Sequence, residues 1–244
     1  MPGLQPGFNF MRKRLDCILS LLASSSVGVA DIGSDHGYIP ITLAKSGYHG
    51  NIISTDISFD SLSKAMINAR HEDVCESISF RVSDGLDSLN PDDVDTIVIA
   101  GMGGDLICSI LDRYDWVLSD SYTLILQPMS KAEVLRYWLL NNGFAIDSEN
   151  LVLENGRIFQ IITSSYSGIN SKAVSYEYYC GLREYTKDFI LYRNNVIHFQ
   201  NVVVGIIQSL KKSGAESSWE YQYYNSLYKD ISDYMSEVNN GSKD

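Results

Sequence analysis

Apolar and polar positions follow two different rhythms along this chain, and the change falls near residue 166. Before it, short apolar runs recur at residues 27–32, 51–55, 78–82, 96–100 and 122–126. Runs of this length, bounded by glycine or acidic residues, predict buried strands. Stretches near 39–46, 58–71, 106–113 and 131–142 lie between them and predict helices. Ser58 or Asp60 is placed to cap the second helix, and Asn142-Gly143 to close the last. Strands alternating with single helices imply crossover units and a parallel sheet covered on both faces. Residues 151–154 and 157–162 then flank Asn155-Gly156. Such a pair needs positive φ at both positions and predicts a tight antiparallel hairpin.

After residue 166 the period changes. Tyr185, Phe189, Tyr192, Val196, Phe199, Val203, Ile206 and Leu210 fall at alternating steps of four and three, a heptad seam. Ser213-Gly214 ends that helix, and Ser217 with Glu220 forms a capping-box pattern for another. Tyr224, Leu227, Ile231, Tyr234 and Val238 continue the seam. The expectation is two antiparallel helices closing on each other, or a coiled coil between two chains. The pattern thus predicts a domain over 1–165 and a helical coiled-coil domain over 166–244.

Composition narrows the classes. Of 244 residues, 45% are apolar, enough for a sizeable core. No run approaches the ~18 apolar residues of a membrane span. The first ten residues lack the pattern of a secretory signal. Cys17, Cys75, Cys108 and Cys180 are scattered, as reduced thiols of a cytoplasmic protein are. No Cys or His spacing suits a metal. The net charge of −11 argues against loose binding to nucleic acid. A polyanionic partner would have to meet a local basic patch, and the one basic run is Arg12-Lys13-Arg14.

The candidate chemistry sits where strands end. The first strand closes on Asp31-Ile32-Gly33-Ser34-Asp35-His36-Gly37-Tyr38. Asp35 stands where the dinucleotide fingerprint has its second glycine. Two acids in this turn repel a pyrophosphate and suit a cation, such as a sulfonium bearing an α-amino group. Asp35 could also cap the following helix. The second strand ends at Asp56, where a carboxylate can accept from two ribose hydroxyls or cap a helix. The third is followed by Asp84-Gly85, suited to adenine or to a plain turn. Ala100-Gly101-Met102-Gly103-Gly104-Asp105 follows the fourth, leaving room for a flat base. Leu126-Gln127-Pro128 ends the fifth and can place an amide at the same edge.

Three of these stretches, Ala30–Tyr38, Ile99–Gly104 and Ile125–Pro128, in this order, resemble the TrmK family of bacterial tRNA (adenine-22-N1)-methyltransferases. The resemblance runs from about Arg14 to Ser164. It implies a Rossmann-like class I methyltransferase fold, a seven-stranded sheet with one strand antiparallel, and a C-terminal helical hairpin that helps bind tRNA. It implies S-adenosylmethionine as cofactor. Gly33, Asp35, His36 and Tyr38 would line its methionine end, Asp56 its ribose, and Asp84 and Gly85 its adenine. Gly101, Met102 and Gly103 would flank the sulfonium and the target base. Arg12, Lys13 and Arg14 would touch RNA. Asp105 or Gln127 could contact the exocyclic amine. The family often has Asn where Met129 stands, Glu where Asp56 stands and Gly where Ser83 stands. Adenine N1 has an in-plane lone pair, so its attack on a methyl requires no general base. Three rivals remain: a small-molecule or other RNA methyltransferase, a non-catalytic cofactor-binding protein, and, disfavoured by the failed fingerprint, a nicotinamide oxidoreductase.

Overall fold

The computed structural model describes residues 12–22 and 27–241. The chain divides into two compact units, residues 1–172 and 173–244. The division falls later than residue 165 for a physical reason. The last strand runs to Tyr166, and the Ser171 amide still donates to the Leu140 carbonyl, 2.8 Å away.

The first unit opens with α1 (Arg12–Leu21), β1 (Gly28–Ile32), α2 (Tyr38–Lys45), β2 (Asn51–Asp56), α3 (Phe59–His71) and β3 (Ser79–Val82). It continues with β4 (Thr96–Gly103), α4 (Gly104–Leu111), β5 (Thr123–Ser130), α5 (Ala132–Asn141), β6 (Phe144–Glu154) and β7 (Arg157–Tyr166). The sheet order is β3-β2-β1-β4-β5-β7-β6. All pairings are parallel except those made by β7, which is antiparallel to both neighbours. This is the Rossmann-like methyltransferase architecture that the resemblance implies. The sheet reverses direction of growth at β1/β4, the point where ligands bind such sheets.

Each element follows from local chemistry. Ile97, Val98 and Ile99 of β4 and Leu124, Ile125 and Leu126 of β5 are fully buried, as strands covered on both faces require. Ser58, not Asp60, caps α3: its side chain accepts from the Ser61 amide. Asn155 (φ 52°) and Gly156 (φ 76°) both take positive φ, so the Asn-Gly pair makes the hairpin turn. Two strands are longer than the apolar runs suggest. β4 continues through Gly101 to Gly103, and β5 passes through Gln127-Pro128 to Ser130. The two extensions pair with each other across register shifts at Met102, so the extra length is a bulged ribbon beyond the core.

In the second unit, α6 (Glu177–Cys180) precedes α7 (Phe189–Lys212) and α8 (Trp219–Gly241). At 1.5 Å per residue the 24 residues of α7 span about 36 Å. Gln200 bonds Ser232, and Tyr192 meets Tyr234 edge-on, while Lys211 lies over Tyr221; the helices are therefore antiparallel. The seam is buried at Tyr192, Val196, Val203, Leu227 and Ile231. It closes within one chain. Tyr185 falls outside α7, in the 3-10 turn Arg183–Tyr185, because Asp188 caps the helix instead. The cap of α8 is Ser218, which accepts from the Tyr221 amide, and not Ser217.

Candidate active site

The site grows from the end of β1. Gly33 turns the chain with φ 74°, and the Gly33 and Ser34 amides both donate to the Thr55 carbonyl, each at 2.9 Å. This ties the turn to β2. A Cβ on Gly33 would stand 2.2 Å from Met102 Cε, so both φ and space require glycine. Asp35 also takes positive φ, 43°, and its amide donates to Asp56 Oδ2 at 3.2 Å. Asp35 is not a helix cap: α2 starts after Gly37, without a side-chain cap. The Asn68 side chain donates to the His36 carbonyl at 3.0 Å, pinning the loop to α3.

Asp31 lies under this loop. Its carboxyl is 5% exposed and accepts from the Ser34 hydroxyl. Burial pushes its pKa up to about 6; the Ser34 hydroxyl opposes the rise and the nearby Asp56 charge adds to it. Bare burial of an acid facing a cavity is costly, and a cationic ligand is what would relieve it.

Asp31, Gly33, Ser34, Asp35, His36 and Tyr38 form one wall of a cavity of about 270 Å³. Ala100, Gly101 and Gln127 from β4 and β5 also line it. Arg14, Leu15, Ile18 and Ile39 complete it. Gly101 takes φ 81°, and a Cβ there would meet nothing within 4 Å, so the backbone faces open space. Gly104 serves packing instead: its Cβ would stand 2.1 Å from the Lys131 carbonyl. Gln127 is 2% exposed, with Nε2 donating to the Pro128 carbonyl at 3.0 Å.

The remaining expected residues lie around the cavity, not on its lining. Asp56, at the end of β2, accepts from the Ser58 amide at 2.8 Å and from the Asp35 amide. Its carboxylate thus adjoins the β1 turn. Asp84 is gripped at two points by Arg113, at 3.0 and 3.1 Å, which holds its carboxyl below the usual range. Gly85 packs over that same guanidinium. Met102 covers Gly33. Gly103 stands beside Asp105, and Asp105 pairs with Lys131 at 2.6 Å. That pairing holds the Asp105 carboxyl below its usual range.

Arg14 is not a free basic side chain. Its Nε donates to Glu154 Oε1 at 3.0 Å, its amide donates to Glu154 Oε2 at 3.1 Å, and its guanidinium lies 4.0 Å from the Phe159 ring centre. Lys13 is exposed. The side chain of Arg12 lies outside the described residues.

Asp31, one of the two turn acids singled out from the sequence, lines the cavity and is buried. The contribution of α1 had a signal in the sequence as well: Leu15 and Ile18, which line the cavity, stand at helical spacing. All four cysteines are free thiols, and no His, Cys, Asp or Glu cluster among the described residues could hold a metal. No described helix is long and apolar enough to cross a membrane.

Comparison with known proteins agrees with this geometry. A family model described as "Methyltransferase domain" matches residues 11–162. The tRNA (adenine(22)-N(1))-methyltransferase of Bacillus subtilis is 31% identical over 170 residues, 67% of this chain and 71% of that one. A crystal structure of a candidate tRNA (m1A22) methyltransferase of Streptococcus pneumoniae, in complex with S-adenosyl-L-methionine, superposes with a TM-score of 0.73. It is 27% identical, covering 90% of this chain and 97% of that one. TrmK of M. capricolum, in complex with S-adenosyl-homocysteine, shares the fold at a TM-score of 0.77 and 20% identity, over 93% and 99% of the two chains. On these matches the chain belongs to the methyltransferase-domain family and, within it, to the tRNA (adenine(22)-N(1))-methyltransferases.

Proposed function

We propose that this protein transfers a methyl group from S-adenosylmethionine to N1 of an adenine in tRNA, adenine 22 by the family's specificity. The observation that carries it is the acid-lined cavity at the β1/β4 switch point, faced by the bare backbone of Gly101. Its residues fit the cofactor. Asp31 and Asp35 oppose a cation and would repel a pyrophosphate. Asp56, beside the same turn, is placed for the ribose diol. Ser83 to Gly85 follow β3 at the adenine end; since Arg113 occupies the Asp84 carboxylate, backbone groups there are the better adenine contacts.

When bound, the cofactor supplies an electrophilic methyl, and the positive charge passes from its sulfur to the adenine ring as N1 takes the methyl. The protein positions and shields. Gly101 leaves room for a flat base, and Gln127 offers an amide at the same edge. Asp31 and Asp35 set the electrostatic environment of the charge. No proton has to leave N1, so no general base is needed; Ser34 and His36 both line the cavity, but the Ser34 hydroxyl donates to Asp31 and the His36 ring lies beside Asp35. N1 lies on the pairing edge, so the base must be unpaired or flipped out.

The second unit, over residues 173–244, is a tRNA-binding element in this reading, and the site of action is the cytoplasm. Because α7 and α8 bury their seam within one chain, a monomer suffices.

Incubation with labelled S-adenosylmethionine and unmodified tRNA, followed by nucleoside analysis, tests the reaction. Label in 1-methyladenosine is expected. Label only in guanosine, or in no nucleoside, would refute it.

A further inference from the structure

One residue beyond the cavity lining stands a second, oppositely charged feature. Arg157 opens β7 directly after the Asn155-Gly156 turn, and it is exposed. Its cross-strand neighbour is Glu154, the obvious counter-ion. Glu154, however, is 6% exposed and its two oxygens are taken by the Nε and backbone amide of Arg14. Arg157 makes no ion pair among the described residues.

Arg157 is nevertheless held in place. One Nη donates to the Met129 carbonyl at 2.6 Å, and its guanidinium lies 5.1 Å from the Phe159 ring centre. Arg14 occupies the same ring at 4.0 Å, so the two guanidinium carbons lie within about 9 Å of each other, the sum of the two ring distances. Met129 is the junction. Its sulfur stands 3.5 Å from Arg14 Nη1 and 3.6 Å from Gln127 Nε2, and both of those residues line the cavity. A chain with a net charge of −11 thus fixes an un-neutralised guanidinium one residue away from its methyl-transfer cavity.

We infer that Arg157 binds a phosphate of the RNA backbone next to the nucleotide whose base enters the cavity. This rests on the tRNA reading above. A guanidinium with remaining free donors suits a phosphodiester, and loss of the Glu154 partner leaves that charge available. The neutralised Arg14 shapes the wall; the un-neutralised Arg157 meets the polyanion.

The test uses the full chain and unmodified tRNA transcript. Affinity is measured from 50 to 200 mM salt for wild type, Arg157→Gln and Arg157→Lys, with S-adenosylmethionine affinity measured alongside. Arg157→Gln should weaken tRNA binding roughly tenfold. It should also flatten the slope of log K against log salt by about 0.7–0.9, one phosphate's worth. Arg157→Lys should restore the slope, because the charge returns although the planar contact with Phe159 does not. Cofactor affinity should stay at the wild-type value. A wild-type slope in Arg157→Gln overturns the inference, and so does an Arg157→Lys slope that matches Arg157→Gln. A wild-type chain that binds cofactor but not tRNA overturns the function itself, which is a different result.

Discussion

The carboxyl edge of the sheet has two halves of opposite character. On the β3-β2-β1 side stand Asp31, Asp35, Asp56 and Asp84, all within or beside the turns that follow those strands. On the β5-β7-β6 side stand Arg14, Lys131 and Arg157. In the proposed reading the first half takes a cation with a diol; in the second, Glu154 neutralises Arg14 and Asp105 pairs with Lys131, so of these three it is Arg157 that is left for a polyanion. Net charge conceals this division: a value of −11 describes neither half. In the proposed reading, two substrates of opposite charge meet over one cavity.

That contrast can be broken at several points. Glu149→Leu should have the largest effect on stability and none on the contrast. Arg136 and Glu149 are 0% and 1% exposed and bonded at 2.6 and 2.9 Å, so removing one partner strands a buried charge. About 3–5 kcal/mol should be lost in urea unfolding. An unchanged midpoint would show that the pair is dispensable.

Gly33→Val should abolish cofactor binding while the chain remains folded, since it violates φ and strikes Met102. Calorimetry decides this, and retained affinity would place the cofactor elsewhere. Asp56→Ala should weaken cofactor binding severely, by roughly 10–100-fold for two lost charge-assisted bonds. Unchanged affinity would remove Asp56 from the ribose role.

Asp31 predicts a pH dependence. Its folded pKa, about 6, exceeds the ordinary carboxyl value of 3.8, so the empty site favours the protonated form. Folding therefore gains from this group below about pH 4 and loses the gain as pH rises through about 6. A cationic ligand reverses the preference. Cofactor affinity should be full above pH 6 and fall below it, and Asp31→Asn should bind more weakly with a flat profile. An affinity independent of pH between 5 and 7 in the wild type would separate Asp31 from the ligand's charge.

The smallest effect should come from Asp105→Asn. Asp105 and Lys131 are each about half exposed, and such pairs contribute little. Near-normal turnover is expected; loss of turnover with intact binding would return Asp105 to a catalytic role.

The acid half was legible in the sequence because strand-end acids sit at fixed places in a β-α repeat. The hairpin was equally legible from Asn155-Gly156. The basic half was not. Arg157 reads as an ordinary surface residue until Glu154, its neighbour, is seen turned inward to Arg14. Arg14 reads as part of a basic run, yet side-chain direction on α1 makes it a wall of the cavity. The lengths of β4 and β5 were also hidden, because Gly101 and Pro128 look like strand terminators and instead join a bulged ribbon. Pairing partners, not residue types, decide each of these.

The central claim is methylation of adenine N1 in tRNA, and the most direct measurement is mass spectrometry of tRNA from cells lacking this protein. Loss of 1-methyladenosine at nucleotide 22, restored by the wild-type chain and not by Asp56→Ala, is the predicted result. Unaltered 1-methyladenosine at that nucleotide would contradict it.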